Sequence, residues 1–170
     1  SGNSLLKASD RKALERSIQA SDLVVVYGDD RTLLEIQKIV PAKTQFIGYG
    51  HRVSLGICLK EVLTRKNLLR LARDTASDIW MMDQRGCLSP IVIYLEKGGE
   101  VSLLHFSQQV TKHLSRYGRW LTLYDDAVSD FPLSSKGKVI HFQAFGKLEE
   151  VYKKLKLVRS SLQSVSLEGK

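Results

Sequence analysis

Residues 22–49 read DLVVVYGDDRTLLEIQKIVPAKTQFIGY and contain two apolar runs on either side of an amphipathic segment. The first run, Asp22–Tyr27, is short and unbroken, which is typical of a strand buried on both faces of a parallel sheet. The acids Asp29 and Asp30 can cap a helix that continues to the proline of this segment. A second strand is predicted at Thr44–Tyr49. Two parallel strands joined by a crossover helix indicate an α/β fold.

The rest of the chain continues this alternation of helices and strands. Apolar spacing at the helical period predicts four further helices, at residues 8–20, 66–80, 101–117 and 148–165. Apolar runs predict three further strands, VSLGICL at 53–59, IVIYLE at 91–96 and KVIHFQAFG at 138–146. Proline, glycine and several serines and aspartates between residues 118 and 138 predict a long loop there.

Composition and charge exclude some classes of protein. No window approaches the roughly 20 apolar residues that span a bilayer, and the first residues lack the apolar core of a signal peptide. We therefore expect a cytoplasmic protein with no membrane span. The two cysteines occupy unlike settings, Cys58 in an apolar stretch and Cys87 in a turn, so we expect two reduced thiols rather than a disulfide. No residue set predicts a metal site.

The formal net charge of +8 is compatible with an anionic partner, such as nucleic acid, a membrane surface, coenzyme A or NADP. The densest basic group lies in the last predicted helix, where a solvated charged face is the simpler interpretation. Tyr152 is the only aromatic residue within that group, which argues against nucleic acid, because stacking surfaces would be expected there. A polyanion-binding module and an inert truncated domain remain as alternatives to an enzyme.

The turn that carries Cys87 has the features of a nucleophile site. Gly86 permits close backbone approach and a positive φ, so that an electrophilic carbonyl can reach the sulfur while backbone N–H groups face its oxygen. Arg85 adjoins the thiol and can favour the thiolate. Most isolated cysteines are small hydrophobic or passive turn residues, so the residues alone leave both interpretations of Cys87 open. Cys58 is predicted to be an inert core residue.

Three segments in this order carry a family resemblance: LVVVYGDDRTLLEIQKIVP (23–41), FIGYGHRVSLGIC (46–58) and LARDTASDIWMMDQRGCLSPIVIYLE (71–96). Together they resemble the long-chain acyl-CoA reductases, which include the fatty-acid reductase subunit that supplies aldehyde in bacterial bioluminescence. That family is a branch of the aldehyde dehydrogenase superfamily. The resemblance covers roughly residues 20 to 120 and implies an aldehyde-dehydrogenase-like fold.

The resemblance also implies residue roles. Cys87 matches the nucleophile that accepts the acyl group of a long-chain acyl-CoA as a thioester, which NADPH then reduces to a fatty aldehyde. Gly28 and Asp29 match a turn beside the cofactor. His51 lies where hydrolytic aldehyde dehydrogenases carry a glutamate, so it is a candidate acid, base or orienting group. A surface or backbone-bonded histidine is an equal alternative for His51.

The chain departs from a complete reductase, because no G-x-G-x-x-G motif follows a strand. We therefore expect a fragment, with residues 1–82 forming the carboxy-terminal part of a cofactor domain and residues 83–170 forming part of the catalytic domain. Such a fragment should bind NADPH weakly. An acyl-transferring partner enzyme and a homo-oligomer are further partners that the resemblance leaves open.

Overall fold

The computed structural model of the chain describes residues 10–50, 52–132 and 138–169. It divides into two compact units, Ser1–His51 and Arg52–Lys170. Every strand pair in both units is parallel, which confirms the predicted α/β class. The functional boundary expected after Met82 lies within the second unit, and the assignment of cofactor and catalytic parts to its two sides stays a prediction.

The first unit consists of two strands and two helices: α1 (Arg11–Gln19), β1 (Leu23–Tyr27), α2 (Asp30–Gln37) and β2 (Gln45–Tyr49). The strands pair in parallel, from Leu23 with Gln45 to Tyr27 with Tyr49, and the last pair stacks its rings at 4.7 Å.

Two details of this first unit differ from the sequence prediction. Leu23, Val25 and Tyr27 are exposed, so β1 is not buried on both faces among the described residues. Helix α2 ends at Gln37, and the chain continues to Val40 in tighter turns, because residues ahead of a proline disfavour the α conformation.

The second unit is built on a five-stranded parallel sheet with the strand order β5-β6-β4-β3-β7. Its elements are β3 (Val53–Cys58), α3 (Leu68–Trp80), β4 (Pro90–Glu96), α4 (Leu103–Leu114), β5 (Leu121–Asp125), β6 (Val139–Phe145), α5 (Leu148–Leu157) and β7 (Leu162–Glu168). The predicted strands at 53–59, 91–96 and 138–146 and the helices at 66–80 and 101–117 are thereby confirmed. All six residues of β3 are buried, as expected for a strand with a partner on each side and cover on both faces.

Apolar side chains form a separate core on each face of this sheet. On one face α3 packs against β4 and α4 packs against β5 and β6, where the ring of Phe106 in α4 meets that of Phe142 in β6 edge to face at 6.0 Å. On the other face Val151 of α5 packs beside Leu55 and Tyr94. At roughly 25 cal/mol per Å² of apolar surface removed from water, these two layers are the main stabilising contribution to the unit.

Two predictions for this unit are wrong. The loop expected at 118–138 contains the strand β5, and the helix expected to reach Val165 ends at Leu157 and is followed by β7. Both missed strands are at sheet edges, and β7 pairs with β3, which lies more than a hundred residues earlier. β5 has no buried residue and β7 has none either, so neither strand carries the buried apolar run by which the other strands were predicted.

No helix within the described residues is long and apolar enough to cross a membrane.

Candidate active site around Cys87

The candidate nucleophile lies in a tight turn between α3 and β4. The N–H of Ser89 donates to the carbonyl oxygen of Gly86 at 3.0 Å, which closes a four-residue turn with Cys87 as its first central residue. The side chain of Cys87 is exposed. The structure thus presents this thiol at the surface of a turn fixed by a backbone hydrogen bond.

The segment that leads into this turn has unusual backbone conformations. Met82, Asp83 and Gln84 have φ angles of 55°, 56° and 59°. For residues with a Cβ, the left-handed region costs roughly 1–2 kcal/mol each, so surrounding contacts must hold it. Gly86 permits a positive φ but does not adopt one; the positive angles fall on Met82, Asp83 and Gln84 instead. Gly86 allows close packing instead, since a Cβ there would meet the Met82 sulfur at 3.2 Å.

Side chains fasten this strained segment to the sheet. The amide of Gln84 makes two hydrogen bonds with the backbone of Val139, donating from Nε2 at 2.7 Å and accepting at Oε1 at 3.1 Å. Asp83 pairs with Lys138 at 3.2 Å. Ser89 Oγ donates to the carbonyl oxygen of Met81 at 2.8 Å. The approach to Cys87 is therefore anchored to the start of β6 and to the end of α3.

A chain of serines holds the turn from inside the sheet. Ser54 of β3 is 1% exposed, and its Oγ donates to the carbonyl oxygen of Cys87 at 2.6 Å. Ser164 of β7 in turn donates to Ser54 Oγ at 2.8 Å. These two residues are partners in the parallel register of β3 and β7. The peptide after Cys87 is thus bonded directly to β3 and is linked to β7 only through Ser54.

A cleft of about 400 Å³ opens beside the thiol. Its wall is mostly apolar, and the exposed side chains of Met81, Met82 and Leu88 stand around Cys87. Asp78 is an acidic residue in the same wall; partial burial, followed by the negative charges of neighbouring Asp74 and Glu168, raises its pKa. The remaining lining residues are Leu55, Gly86, Ser89, Pro90, Ser164 and Ser166.

Cys58 has a contrasting environment. Its side chain is 4% exposed within β3, and burial together with the negative charge of Glu168 raises its pKa to about 12. A thiol of this kind stays protonated at neutral pH and is closed to reagents. The structure agrees with the prediction that Cys58 is a core residue.

The predicted cofactor residues lie in the first unit, at the carboxyl end of β1. The N–H of Gly28 donates to the carbonyl oxygen of Tyr49, and the carboxylate of Asp29 accepts from the N–H of Thr32 at 2.7 Å as the cap of α2. The carboxyl ends of parallel strands are the usual place for ligands in such sheets. His51, the predicted acid, base or orienting group, lies outside the described residues.

These residues do not fit the phosphate groups of a dinucleotide. Phosphates bind helix N-termini through free N–H groups and a partial positive charge, whereas Asp29 and Asp30 place two carboxyl groups there. A carboxylate that caps the helix competes for the same N–H donors. The described part of this unit therefore supplies no pyrophosphate cradle.

Several residues of the site were not identified from the sequence. Gln84, Ser54 and Ser164 act through side-chain bonds to backbone groups that lie far away in the chain. A serine in a predicted buried strand is a weak sequence signal of a functional residue. Ser54 does interrupt an otherwise apolar run, and a buried hydroxyl needs a hydrogen-bond partner. Asp78 had no local signal, since it lies in an ordinary amphipathic helix.

The family model described as acyl-CoA reductase (LuxC) matches residues 4–130. This match covers most of the chain and includes the turn that carries Cys87. Among the curated proteins, none matches the sequence significantly.

Solved structures with a similar fold are aldehyde dehydrogenases. The γ-glutamyl-γ-aminobutyraldehyde dehydrogenase of Burkholderia cenocepacia J2315 is 10% identical, with a TM-score of 0.57 over 86% of this chain and 44% of that chain. The aldehyde dehydrogenase KauB of Pseudomonas aeruginosa is 11% identical, with a TM-score of 0.57 over 88% and 45%. A mutant of the P. syringae indole-3-acetaldehyde dehydrogenase AldA, in complex with NAD+ and IAA, is 11% identical, with a TM-score of 0.58 over 88% and 45%.

These likenesses establish the fold, and they confirm the expected aldehyde-dehydrogenase-like architecture. The chain spans less than half the length of each of these solved structures.

Proposed function

Because the chain belongs to the acyl-CoA reductase (LuxC) family, we propose that it carries the thiol site of a reductase that converts long-chain acyl-CoA to fatty aldehyde. Cys87 is the acyl acceptor in this proposal. The observation that carries it is the exposed thiol in a turn beside a mostly apolar cleft of about 400 Å³.

The first half-reaction is acyl transfer. The thiolate sulfur of Cys87 attacks the carbonyl carbon of the acyl-CoA, forming a new C–S bond and a tetrahedral oxyanion. When the oxyanion collapses, the bond to the coenzyme A sulfur breaks, and coenzyme A leaves as a thiolate that takes a proton from solvent. The acyl group remains as a thioester on Cys87, so that one difficult displacement becomes two easier steps.

The wall of the cleft supports an apolar acyl group as the substrate. Met81, Met82 and Leu88 are largely exposed beside the thiol. Flexible thioether side chains adapt to apolar ligands of varied shape, so methionine is common at such surfaces. Burial of an alkyl chain there would contribute about 0.8 kcal/mol per methylene group removed from water.

The second half-reaction is reduction of the thioester, for which we propose NADPH as the hydride donor. Gly28 and Asp29 remain candidates for lining its site, on the strength of their place at the carboxyl end of β1. Because the described residues offer no pyrophosphate cradle, we propose that turnover requires a longer chain than this one.

The alternative of a polyanion-binding module has less support. Two cations of α5 are already engaged within the chain, Lys154 with Asp130 at 2.9 Å and Lys156 over the ring of Tyr152 at 4.9 Å. The other alternative is an inert domain that keeps the fold but not the chemistry. Acylation of Cys87 would argue against an inert domain, and its absence would favour one.

The test of the proposed function is the release of coenzyme A. The protein is mixed with a long-chain acyl-CoA, and free coenzyme A is separated from the protein by ultrafiltration before it is titrated with a chromogenic thiol reagent, because the exposed Cys87 would react with that reagent. We expect one equivalent per chain from the wild type and from Cys58→Val, and none from Cys87→Ser. Release that persists in Cys87→Ser would show that another group or simple hydrolysis is responsible.

A further inference from the structure

Cationic side chains of two helices gather where α3 and α4 pack side by side. Lys112 and His113 lie in the last turn of α4, Arg116 lies in the turn that follows it, and Arg73 lies on α3. Partial burial, followed by the positive charges of the other three residues, lowers the pKa of His113. These four residues are called the α3–α4 basic cluster below.

The cluster has little negative charge to balance it. Within the described part of the chain, Lys112 and Arg116 form no ion pair, and Arg73 meets one carboxylate, that of Asp74 at 2.9 Å. Cations in the last turn of α4 do favour the negative end of that helix, but this effect does not require Arg73 on the neighbouring helix. Like charges gathered at one place repel each other, and they attract an anionic ligand.

An aromatic pair adjoins the basic cluster. The rings of Trp80, at the end of α3, and Tyr117, in the turn after α4, stack with their centroids 4.2 Å apart. The two residues are 39% and 40% exposed. Tyr117 follows Arg116 directly, and Trp80 lies about two helical turns after Arg73 on the same side of α3. Exposed rings beside cations are the combination that holds a nucleic base and its phosphates.

The aromatic pair and the candidate nucleophile lie at the same edge of the five-stranded sheet. α3 leads through the Cys87 turn into β4, and Tyr117 leads into β5, so both helices end where these parallel strands begin. Trp80 is followed directly by Met81, which lines the cleft beside the thiol. A ligand that reaches from this cleft past Trp80 to the basic cluster is long, and it ends in an aromatic base with phosphate groups.

We propose that the α3–α4 basic cluster and the adjoining aromatic pair bind the phosphorylated adenosine of coenzyme A while the thioester lies beside Cys87. This inference rests on the proposed function, because it places the head group of the proposed substrate. The cations hold the phosphates, an exposed ring carries the adenine, and the uncharged pantetheine arm crosses the end of α3. NADP also carries a phosphorylated adenosine, with the extra phosphate at the 2′ rather than the 3′ position, so the test separates these two sources.

The first measurement is calorimetric titration with adenosine 3′,5′-bisphosphate, which is the head group without thiol or acyl chain. We expect saturable binding that weakens about 5- to 10-fold in Lys112→Gln/Arg116→Gln, as for the loss of two exposed charge contacts. Lys153→Gln/Arg159→Gln is the matched control, because it removes two exposed cations in and after α5 and changes the net charge equally.

The outcomes of this titration separate a site from a general attraction to anions. The control variant should bind like the wild type. Equal weakening in both double variants, or no binding by the wild type, would overturn the proposal. Tighter binding of adenosine 2′,5′-bisphosphate would assign the site to NADP and overturn the assignment to coenzyme A. Inorganic pyrophosphate should bind more weakly because it has no base to stack, and equal affinity would exclude the aromatic pair from the site.

A second measurement locates the phosphates. The charged groups around the His113 imidazole are the other members of the cluster, together with Asp74, which pairs with Arg73. A bound phosphate favours the protonated imidazole, so we expect adenosine 3′,5′-bisphosphate to raise the pKa of His113, as followed by NMR of histidine-labelled protein. The signals of His141, which lies in β6, should not move on addition of the ligand. An unchanged His113 titration would overturn the placement.

The third measurement connects the head-group site to the thiol. Octanoyl-CoA and S-octanoyl-N-acetylcysteamine offer Cys87 the same thioester, but only octanoyl-CoA carries the phosphorylated adenosine. At low substrate concentration, Lys112→Gln/Arg116→Gln should slow acylation by octanoyl-CoA about 5- to 10-fold and leave acylation by the short thioester within about twofold of wild type.

The two thioesters also separate this inference from the proposed function. Equal effects of Lys112→Gln/Arg116→Gln on both would overturn the inference and leave the proposed function standing. If neither thioester acylates Cys87 while the bisphosphate binds as expected, the proposed function and the assignment to coenzyme A are refuted, and the binding site for a phosphorylated adenosine stands.

Discussion

The two thiols of the chain differ in their exposure to solvent. Cys87 is exposed at the centre of a turn, whereas Cys58 is 4% exposed in a strand with partners on both sides. The sequence alone distinguishes the two cysteines, because glycine and serine lie close to Cys87 whereas apolar residues flank Cys58. The serines that orient the reactive turn could not be predicted, since their partners are set by strand register across the sheet.

The first prediction is that limiting iodoacetamide labels Cys87 and spares Cys58 in the native chain. A pKa of about 12 for Cys58 against a usual value of 9.0 lowers its thiolate fraction roughly a thousandfold, at tenfold per unit. Peptide mapping measures labelling at both positions, with the denatured chain as the control. Comparable native labelling of Cys58 would contradict the buried setting of β3.

The second prediction concerns the alkaline stability of the fold. The unfolded chain ionises its Cys58 thiol above about pH 9, while the folded chain keeps that proton up to about pH 12. The unfolded state then binds fewer protons, so the free energy of unfolding falls as the pH rises through this window, with a slope from this thiol of at most about 1.4 kcal/mol per pH unit.

Urea unfolding between pH 8 and 11 measures this slope. Cys58→Val should reduce the slope of the free energy of unfolding against pH. Cys87→Ser is the control and should leave that slope unchanged, because its side chain is exposed. The component from Tyr94, whose pKa burial raises to about 12, remains in both variants. An identical slope in wild type and Cys58→Val would contradict the assignment of the thiol.

At the scale of elements, most of the backbone strain of the second unit lies in the segment between α3 and β4. Three consecutive residues with positive φ lead into the turn, and the amide of Gln84 bonds both backbone groups of Val139 at the start of β6. Strained backbone persists only where its surroundings fix it, and it is common at functional sites.

The third prediction is that Gln84→Ala lowers the free energy of unfolding by about 1–3 kcal/mol, because it removes two hydrogen bonds to the backbone of Val139, each worth about 0.5–1.5 kcal/mol. Denaturant unfolding measures this loss of stability. Because the turn should also loosen, the alkylation of Cys87 should no longer follow a single rate. Gln108→Ala, an exposed substitution on α4, is the control. If both variants unfold alike, the clamp does not stabilise the turn.

Most helices and strands of both units could be predicted from apolar spacing, capping residues and prolines. The exceptions were β5 and β7. In LQSVSLE, apolar residues at 162, 165 and 167 follow neither a strict two-residue nor a helical period. The pairing of β7 with β3 is a long-range contact, and local propensity gives way to such contacts at sheet edges.

At the scale of the whole chain, the family match and the fold likeness cover different stretches. The family model ends at residue 130, whereas the structural likeness extends over 86–88% of the chain. Since 86% of the chain is more than 130 residues, part of the segment that follows the family match is recognisable by fold alone. This is why the carboxy-terminal part of the sheet could not be assigned by resemblance alone.

The fourth prediction is that this chain binds NADPH weakly or not at all. Acidic residues cap α2 where phosphates would bind, and the sequence has no glycine-rich phosphate turn. Isothermal titration calorimetry measures the affinity, with inorganic tripolyphosphate as a control for nonspecific anion binding to a chain of charge +8. Saturable binding with a Kd in the low micromolar range, about −8 kcal/mol, would show a cofactor site that the described residues do not reveal.

If Cys87 accepts an acyl group from a long-chain acyl-CoA, the intact mass of the chain increases after incubation with that substrate. We expect a mass increase of one acyl group per chain, located on the peptide that contains Cys87 and removed by hydroxylamine as thioesters are. Cys58→Val should acquire the same adduct. An unchanged mass, or an adduct that maps elsewhere and persists in Cys87→Ser, would contradict the claim.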